Sequence, residues 1–138
     1  MPLVRIDLNK NRADSQVRAI ADAIHASIVE VYGIPQRDRF QIITRHEANE
    51  IIAEDAGLGF ERSENVVMIQ IFTQEGRSSD DKQKLYATIA AALKEVGVEG
   101  EDVFIGYVEN TFYDWSFGFG RAQYVTGELA VPRRKEQN

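Results

Sequence analysis

The chain repeats itself, and the repeat limits what it can fold into. Ile20, Ile24, Ile28 and Val31 recur at spacings of four, four and three, and Leu85, Ile89, Leu93 and Val96 each follow their counterpart by 65 residues. Such spacing puts all four side chains of a set on one face of an α-helix. Ahead of the first set, residues 3–8 (Leu-Val-Arg-Ile-Asp-Leu) read as a short strand; ahead of the second, residues 66–72 (Val-Val-Met-Ile-Gln-Ile-Phe) do the same. Asp14 and Ser79, also 65 apart, are the expected N-caps of the two helices. Gly33 and Gly97 are placed to end them, and residues 33–40 align with 97–104, each leading into another strand. The expected fold class is therefore α/β (α+β), built from two β-α-β units at about 2–45 and 66–109 within one domain spanning 2–131.

A helix between the two strands of a unit makes them parallel, with a right-handed crossover. Joining the units about a pseudo-two-fold axis gives a four-stranded mixed sheet with both helices on one face. Residues 66–72 and 103–108 are nearly continuous apolar runs, the pattern of strands covered on both sides. Two helices cover one face, so the other calls for a second copy of the chain. Two segments stand outside the repeat. Residues 46–64 form an irregular insert with a short helical stretch expected around 48–55 and a Gly57-Leu58-Gly59 turn. The segment from Asn110 carries Phe112, Tyr113, Trp115, Phe117, Phe119 and Tyr124 among glycines, and is expected to form a hairpin that packs on a neighbour or walls a pocket. Residues 132–138 read as a solvated, flexible tail.

Composition excludes several function classes. With no Cys, disulfides, thiolate metal sites and Cys nucleophiles are absent, and two His residues are little material for a zinc site. Against 16 basic residues stand 22 acidic ones, a net charge of −6 that disfavours a nucleic-acid surface. No apolar run reaches the ~20 residues of a membrane span, and Met1-Pro2-Leu3 enters the first strand without a signal-peptide pattern, so a cytoplasmic location is expected.

Three residues carry candidate chemistry. Removal of Met1 would make Pro2 a secondary α-amine, and such amino groups titrate near ~8, low enough for burial to bring them toward neutrality. That amine can serve as general acid, general base or iminium-forming nucleophile; with Met1 retained, Pro2 is a rigid strand start and no more. Arg77 precedes the second helix, where guanidinium and helix N-terminus together suit a carboxylate. Arg12 holds the matching place at the first helix. Sheet geometry separates the two: the end of the third strand lies beside the start of the first, so Arg77 falls near Pro2 and Arg12 near Asn65. The same reasoning favours Asp38, at the Pro2 edge, over Asp102, although Asp at helix-to-strand turns is also ordinary turn chemistry. His25 and His46 have no carboxylate or second His at ligand spacing, Gly57–Gly59 and Gly118–Gly120 lack the strand-to-helix context of a phosphate loop, and the Glu54-Asp55 pair reads as solvated loop.

Pro2, the duplicated unit and Arg77 together resemble the tautomerase superfamily, whose members use an amino-terminal proline. More narrowly, residues 35–42 (Pro-Gln-Arg-Asp-Arg-Phe-Gln-Ile), 52–59 (Ile-Ala-Glu-Asp-Ala-Gly-Leu-Gly), Gly76-Arg77 and the stretch from Asp114-Trp115-Ser116-Phe117-Gly118 to Glu128 resemble the malonate semialdehyde decarboxylase family. The resemblance spans about residues 2–131. It implies a homotrimer, a small carboxylate substrate, no cofactor, and decarboxylation of malonate semialdehyde to acetaldehyde and carbon dioxide. It further implies Pro2 as catalytic amine, Asp38 as its polar partner, Arg77 as carboxylate binder, and Trp115, Phe117 and Tyr124 as pocket walls. One departure stands out: better-known members of the decarboxylase family carry a second arginine shortly before the one matching Arg77, where this chain reads Thr73-Gln74-Glu75-Gly76. Competing readings are a keto–enol tautomerase or hydratase of small unsaturated or 2-oxo acids, and a non-catalytic trimeric domain.

Overall fold

The structure, a computed structural model, describes residues 2–131; the expected flexible tail at 132–138 lies outside them. Strand β1 (Pro2–Asn9), helix α1 (Asp14–Tyr32) and strand β2 (Phe40–His46) make the first unit. The second is β3 (Val67–Gln74), α2 (Ser79–Glu95) and β4 (Val103–Asn110). The sheet order is β2-β1-β3-β4, with β1 parallel to β2, β3 parallel to β4, and the two central strands antiparallel. Ile6 faces Ile69 and Val4 faces Ile71 across that central pair, so the pseudo-two-fold axis passes between β1 and β3.

Period-2 alternation in the strands and period-3.6 recurrence in the helices meet in one core. Val4, Ile6 and Leu8 of β1 and Ile69 and Ile71 of β3 pack against Ile20, Ile24 and Ile28 of α1 and Leu85, Ile89 and Leu93 of α2, all essentially inaccessible to water. Each such side chain contributes about 2 kcal/mol of transfer free energy, which makes this layer the main source of stability. Val96, the fourth position of the second repeat set, sits at the C-cap of α2 and is half-buried, because α2 ends two residues short of Gly97. Gly33 ends α1 in the left-handed conformation (φ 66°), returning its N–H to the Val29 carbonyl at 2.8 Å.

The helix starts depart from expectation by one residue. Ala13, not Asp14, is the N-cap of α1, and Gln16 reaches back to its N–H at 3.1 Å. Asp14 instead takes an ion pair from Arg45 across the helix–sheet gap, at 2.7 Å. Ser78, not Ser79, caps α2, its hydroxyl accepting from the Asp81 N–H. The insert is also less helical than its composition implies: a single 3-10 turn spans Ala48–Glu50, closed by Glu50 on the Glu47 N–H. The tail forms no extended hairpin. It has a 3-10 turn at Phe112–Asp114, one bridge between Gly118 and Arg121, and a single-turn helix α3 (Gln123–Thr126).

Opposite the helices much of the sheet is left exposed, with Phe117 against Phe40 and Arg62 against Phe104 at its margins. Phe40 and Ile42 on β2, and Phe104 and Val108 on β4, are 39–48% exposed, with Leu3, Met68 and Phe72 between them. Among the described residues no helix is long and apolar enough to cross a membrane.

Candidate active site

Pairing of the strands decides which polar groups meet. Pro2 opens β1 on the helix-facing side, buried, and pairs in register with Thr73 of β3. Four residues beyond Thr73 the chain reaches Arg77. On the other flank Leu3 pairs with Phe40, so Asp38, two residues ahead of β2, lies at the same end of the sheet. Pro2, Asp38 and Arg77 thus collect at one edge, as their positions in the repeat require.

The electrostatics of that edge are coupled. Burial raises the Asp38 carboxyl above its ordinary value, an effect that nearby positive charge only partly opposes. The Tyr124 hydroxyl, buried and within the fields of both Asp38 and Arg77, is pushed up to about 12, mainly by desolvation and then by Asp38, with Arg77 opposing. Tyr124 therefore stays protonated at neutral pH and can donate a hydrogen bond. Arg77 itself donates from Nη1 to the Tyr32 carbonyl at 3.3 Å and lies over the Tyr32 ring, 4.2 Å from its centroid.

Aromatic side chains of the tail form the wall. Phe117 stacks on Trp115 at 5.9 Å, meets Tyr124 edge-on at 5.3 Å, and touches Phe40 of β2 at 5.9 Å. Two amides that carried no signal in the sequence hold this wall in place. Buried Gln123 accepts from the Phe117 N–H and donates to the Gly118 carbonyl, both at 2.9 Å, and Asn110 accepts the Trp115 indole N–H at 2.8 Å. Isolated Asn and Gln are too common for such roles to be read without the fold.

The opposite edge of the sheet contains the matching residues in a different state. Asp102 is 3% exposed, and its carboxylate accepts from both the backbone N–H and the hydroxyl of Ser63. Arg12 donates to the Asn65 carbonyl and carries a desolvated guanidinium that Asp102 partly compensates. The insert's final residues thus tie this edge of the sheet to the segment leading into β3.

The two histidines do have carboxylate neighbours, contrary to expectation from spacing. His46 Nε2 lies 2.6 Å from Asp7 Oδ1, because β1–β2 pairing brings together residues 39 apart in sequence. Buried His25 contacts the Gln36 carbonyl at 2.8 Å and sits in the field of Asp38. The Gly57–Gly59 loop turns its N–H groups inward onto the Asp55 carboxylate, at 3.0 and 2.7 Å, so they serve the loop itself. Among the described residues no group of three His, Asp or Glu is arranged to hold a metal ion.

This architecture and sequence have close counterparts. Two family models, both described as tautomerase enzyme, match residues 2–61 and 38–118. A probable tautomerase of Bacillus subtilis (strain 168), YrdN, is 42% identical over 130 residues, covering 94% of this chain and all of that protein. The crystal structure of FG41 malonate semialdehyde decarboxylase inhibited by 3-bromopropiolate superposes with a TM-score of 0.93 at 60% identity, covering 94% of this chain and 99% of that one. A second malonate semialdehyde decarboxylase, whose structures were described as a basis for decarboxylase and hydratase activities, superposes with a TM-score of 0.88 at 38% identity, covering 92% and 98%. A duplicated β-α-β sheet and identity of this extent over nearly the whole length together place the chain in the tautomerase family.

Proposed function

We propose that the protein is a cofactor-independent carboxy-lyase that converts malonate semialdehyde to acetaldehyde and carbon dioxide. The observation that carries this reading is the strand pairing that brings Asp38 and Arg77 to the edge where β1 begins. The 60% identity to a decarboxylase of that substrate supports it. In this reading Met1 is removed and Pro2 becomes the amino terminus. Its ammonium form, favoured by the Asp38 carboxylate, donates a proton to the aldehyde oxygen. Arg77 pairs with the carboxylate and sets the breaking C–C bond perpendicular to the carbonyl plane. When that bond breaks, carbon dioxide leaves and the electron pair passes into the protonated carbonyl, giving an enol. Protonation at its carbon by solvent, with return of the enol O–H proton to the Pro2 amine, then yields acetaldehyde and restores the ammonium. The Trp115–Phe117–Tyr124 wall excludes water and disfavours the charged carboxylate relative to neutral carbon dioxide.

The exposed sheet face is the site of self-association, for which a trimer is the proposed state. A second reading, keto–enol tautomerisation of a small unsaturated or 2-oxo acid by neutral Pro2 acting as base, is favoured by the curated relative's description as a probable tautomerase. The two separate in one assay. Protein with a free Pro2 should release acetaldehyde from malonate semialdehyde; rapid ketonisation of an enol-pyruvate with no acetaldehyde would establish the tautomerase instead. Borohydride in the decarboxylation assay distinguishes an iminium at Pro2, which it would trap, from simple proton donation.

A further inference from the structure

We propose that Tyr32, the last residue of α1, is a positioning residue for Arg77, supplying the aromatic platform that aims its guanidinium at the substrate carboxylate. This rests on the reading of Arg77 as the carboxylate binder. The Arg77 guanidinium carbon lies 4.2 Å from the centre of the Tyr32 ring, well inside the range of a cation–π contact. Its hydrogen bond to the Tyr32 carbonyl is long, at 3.3 Å, so the ring face does most of the holding. With Nη1 turned to that carbonyl, Nε and the second terminal nitrogen remain as a fork of the spacing a carboxylate accepts.

The platform is itself anchored. The Tyr32 hydroxyl meets that of Tyr107 on β4 at 3.0 Å, and the Tyr107 ring carries Lys82 4.8 Å above it, with Lys82 ion-paired to Glu109. Burial keeps both phenols protonated far above neutrality, so the contact to Arg77 is to a neutral ring and does not change over the physiological range. The pseudo-symmetric edge supplies a comparison within the molecule. There α2 stops at Glu95, the residues matching the end of α1 are Val96 and Gly97, and Arg12 has no ring beneath it, turning instead to the Asn65 carbonyl. Among the described residues an aromatic support thus accompanies the arginine of the Pro2 edge and is missing from that of the Asp102 edge. It matters more here because the segment at 73–76 carries no second arginine to share the carboxylate.

The test uses the full-length protein and 3-hydroxypropionate, an unreactive carboxylate, with binding followed by NMR. Tyr32→Leu should weaken binding by about fivefold to tenfold and raise KM more than it lowers kcat, whereas Tyr32→Phe, which keeps the ring, should stay within about twofold of wild type. Tyr32→Met replaces the leucine variant if the latter does not fold. In an Arg77→Ala background Tyr32→Leu should have no further effect, since it acts through Arg77. Wild-type affinity in Tyr32→Leu, or an equal loss with Arg77 already absent, overturns the platform and leaves Arg77 as carboxylate binder. Failure of the wild-type protein to bind the carboxylate overturns both.

Discussion

Arg77 and Arg12 occupy equivalent places in the two copies of one unit, and substituting each separates a binding role from a structural one. Arg77→Ala removes a guanidinium that would make two charge-assisted hydrogen bonds to a carboxylate, each worth about 1.5–3 kcal/mol. Arg77 is half-buried, so water recovers part of the loss, leaving about 3 kcal/mol, on the order of a hundredfold in kcat/KM. Its contacts to Tyr32 contribute about 1 kcal/mol or less to folding. Arg12→Ala deletes a hydrogen bond to the Asn65 carbonyl and the positive charge facing buried Asp102. That costs about 1–2 kcal/mol of stability and leaves turnover within about twofold, since the site is at the other end of the sheet. Acetaldehyde release and urea unfolding, measured on both variants at one protein concentration, give the four numbers required. Equal activity losses, or an Arg77→Ala enzyme within threefold of wild type, would refute the assignment of the carboxylate site to the Pro2 edge.

Three other outcomes are expected. Sedimentation equilibrium should give about three times 15.6 kDa, since Phe40, Ile42, Phe104 and Val108 leave an apolar sheet face largely exposed in the single chain; a stable monomer would remove the basis for self-association. Mass spectrometry of active protein should show Met1 absent, and Pro2→Ala should lose most activity; full activity with Met1 retained would eliminate the amine mechanism. The Gly57 and Gly59 N–H groups hold the Asp55 carboxyl below its ordinary value, so the loop's stabilisation is present above the unfolded carboxyl pKa of about 3.9 and is lost as pH falls through the lower folded one. Amide shifts of Gly57 and Gly59 should titrate together below that value and stay flat in Asp55→Asn; an inflection at or above it would contradict the sign.

Those features of the fold that rest on periodicity were legible in the sequence, because burial enforces periodicity. Both strand pairs, both helices and the exposed sheet face follow from recurring Ile, Leu and Val. Where two neighbours are equally fit for one role, periodicity is silent: Ser78 and Ser79 are both good caps, and the backbone turn alone chooses Ser78. Contacts between distant segments were the other blind spot. His46 meets Asp7 through strand register, and Tyr32 reads as one more aromatic at a helix end until Arg77 is folded over it. Gln123 and Asn110 carry no pattern at all, yet their amides fix the aromatic wall.

Duplication of a β-α-β unit yields two equivalent edges, and what distinguishes them is the residues gathered around each. At the second edge the segment leading into β3 binds back onto the sheet: Ser63 takes both oxygens of Asp102 while the Asn65 carbonyl takes Arg12. Both oxygens of this buried carboxylate are hydrogen-bonded, and the arrangement serves as a clasp between insert and sheet. At the first edge Pro2 opens β1 as a buried residue, at the end of the sheet where Asp38 leads into β2. Burial raises the Asp38 carboxyl there, and Arg77 lies over an aromatic face that leaves part of its donor fork unused. Equivalent backbone geometry thus gives a clasp at the Asp102 edge and a candidate site at the Pro2 edge. The residues that set the Pro2 edge apart are those with no counterpart in the repeat: Tyr32, in the two residues by which α1 is longer than α2, and Trp115, Phe117 and Tyr124 in the tail.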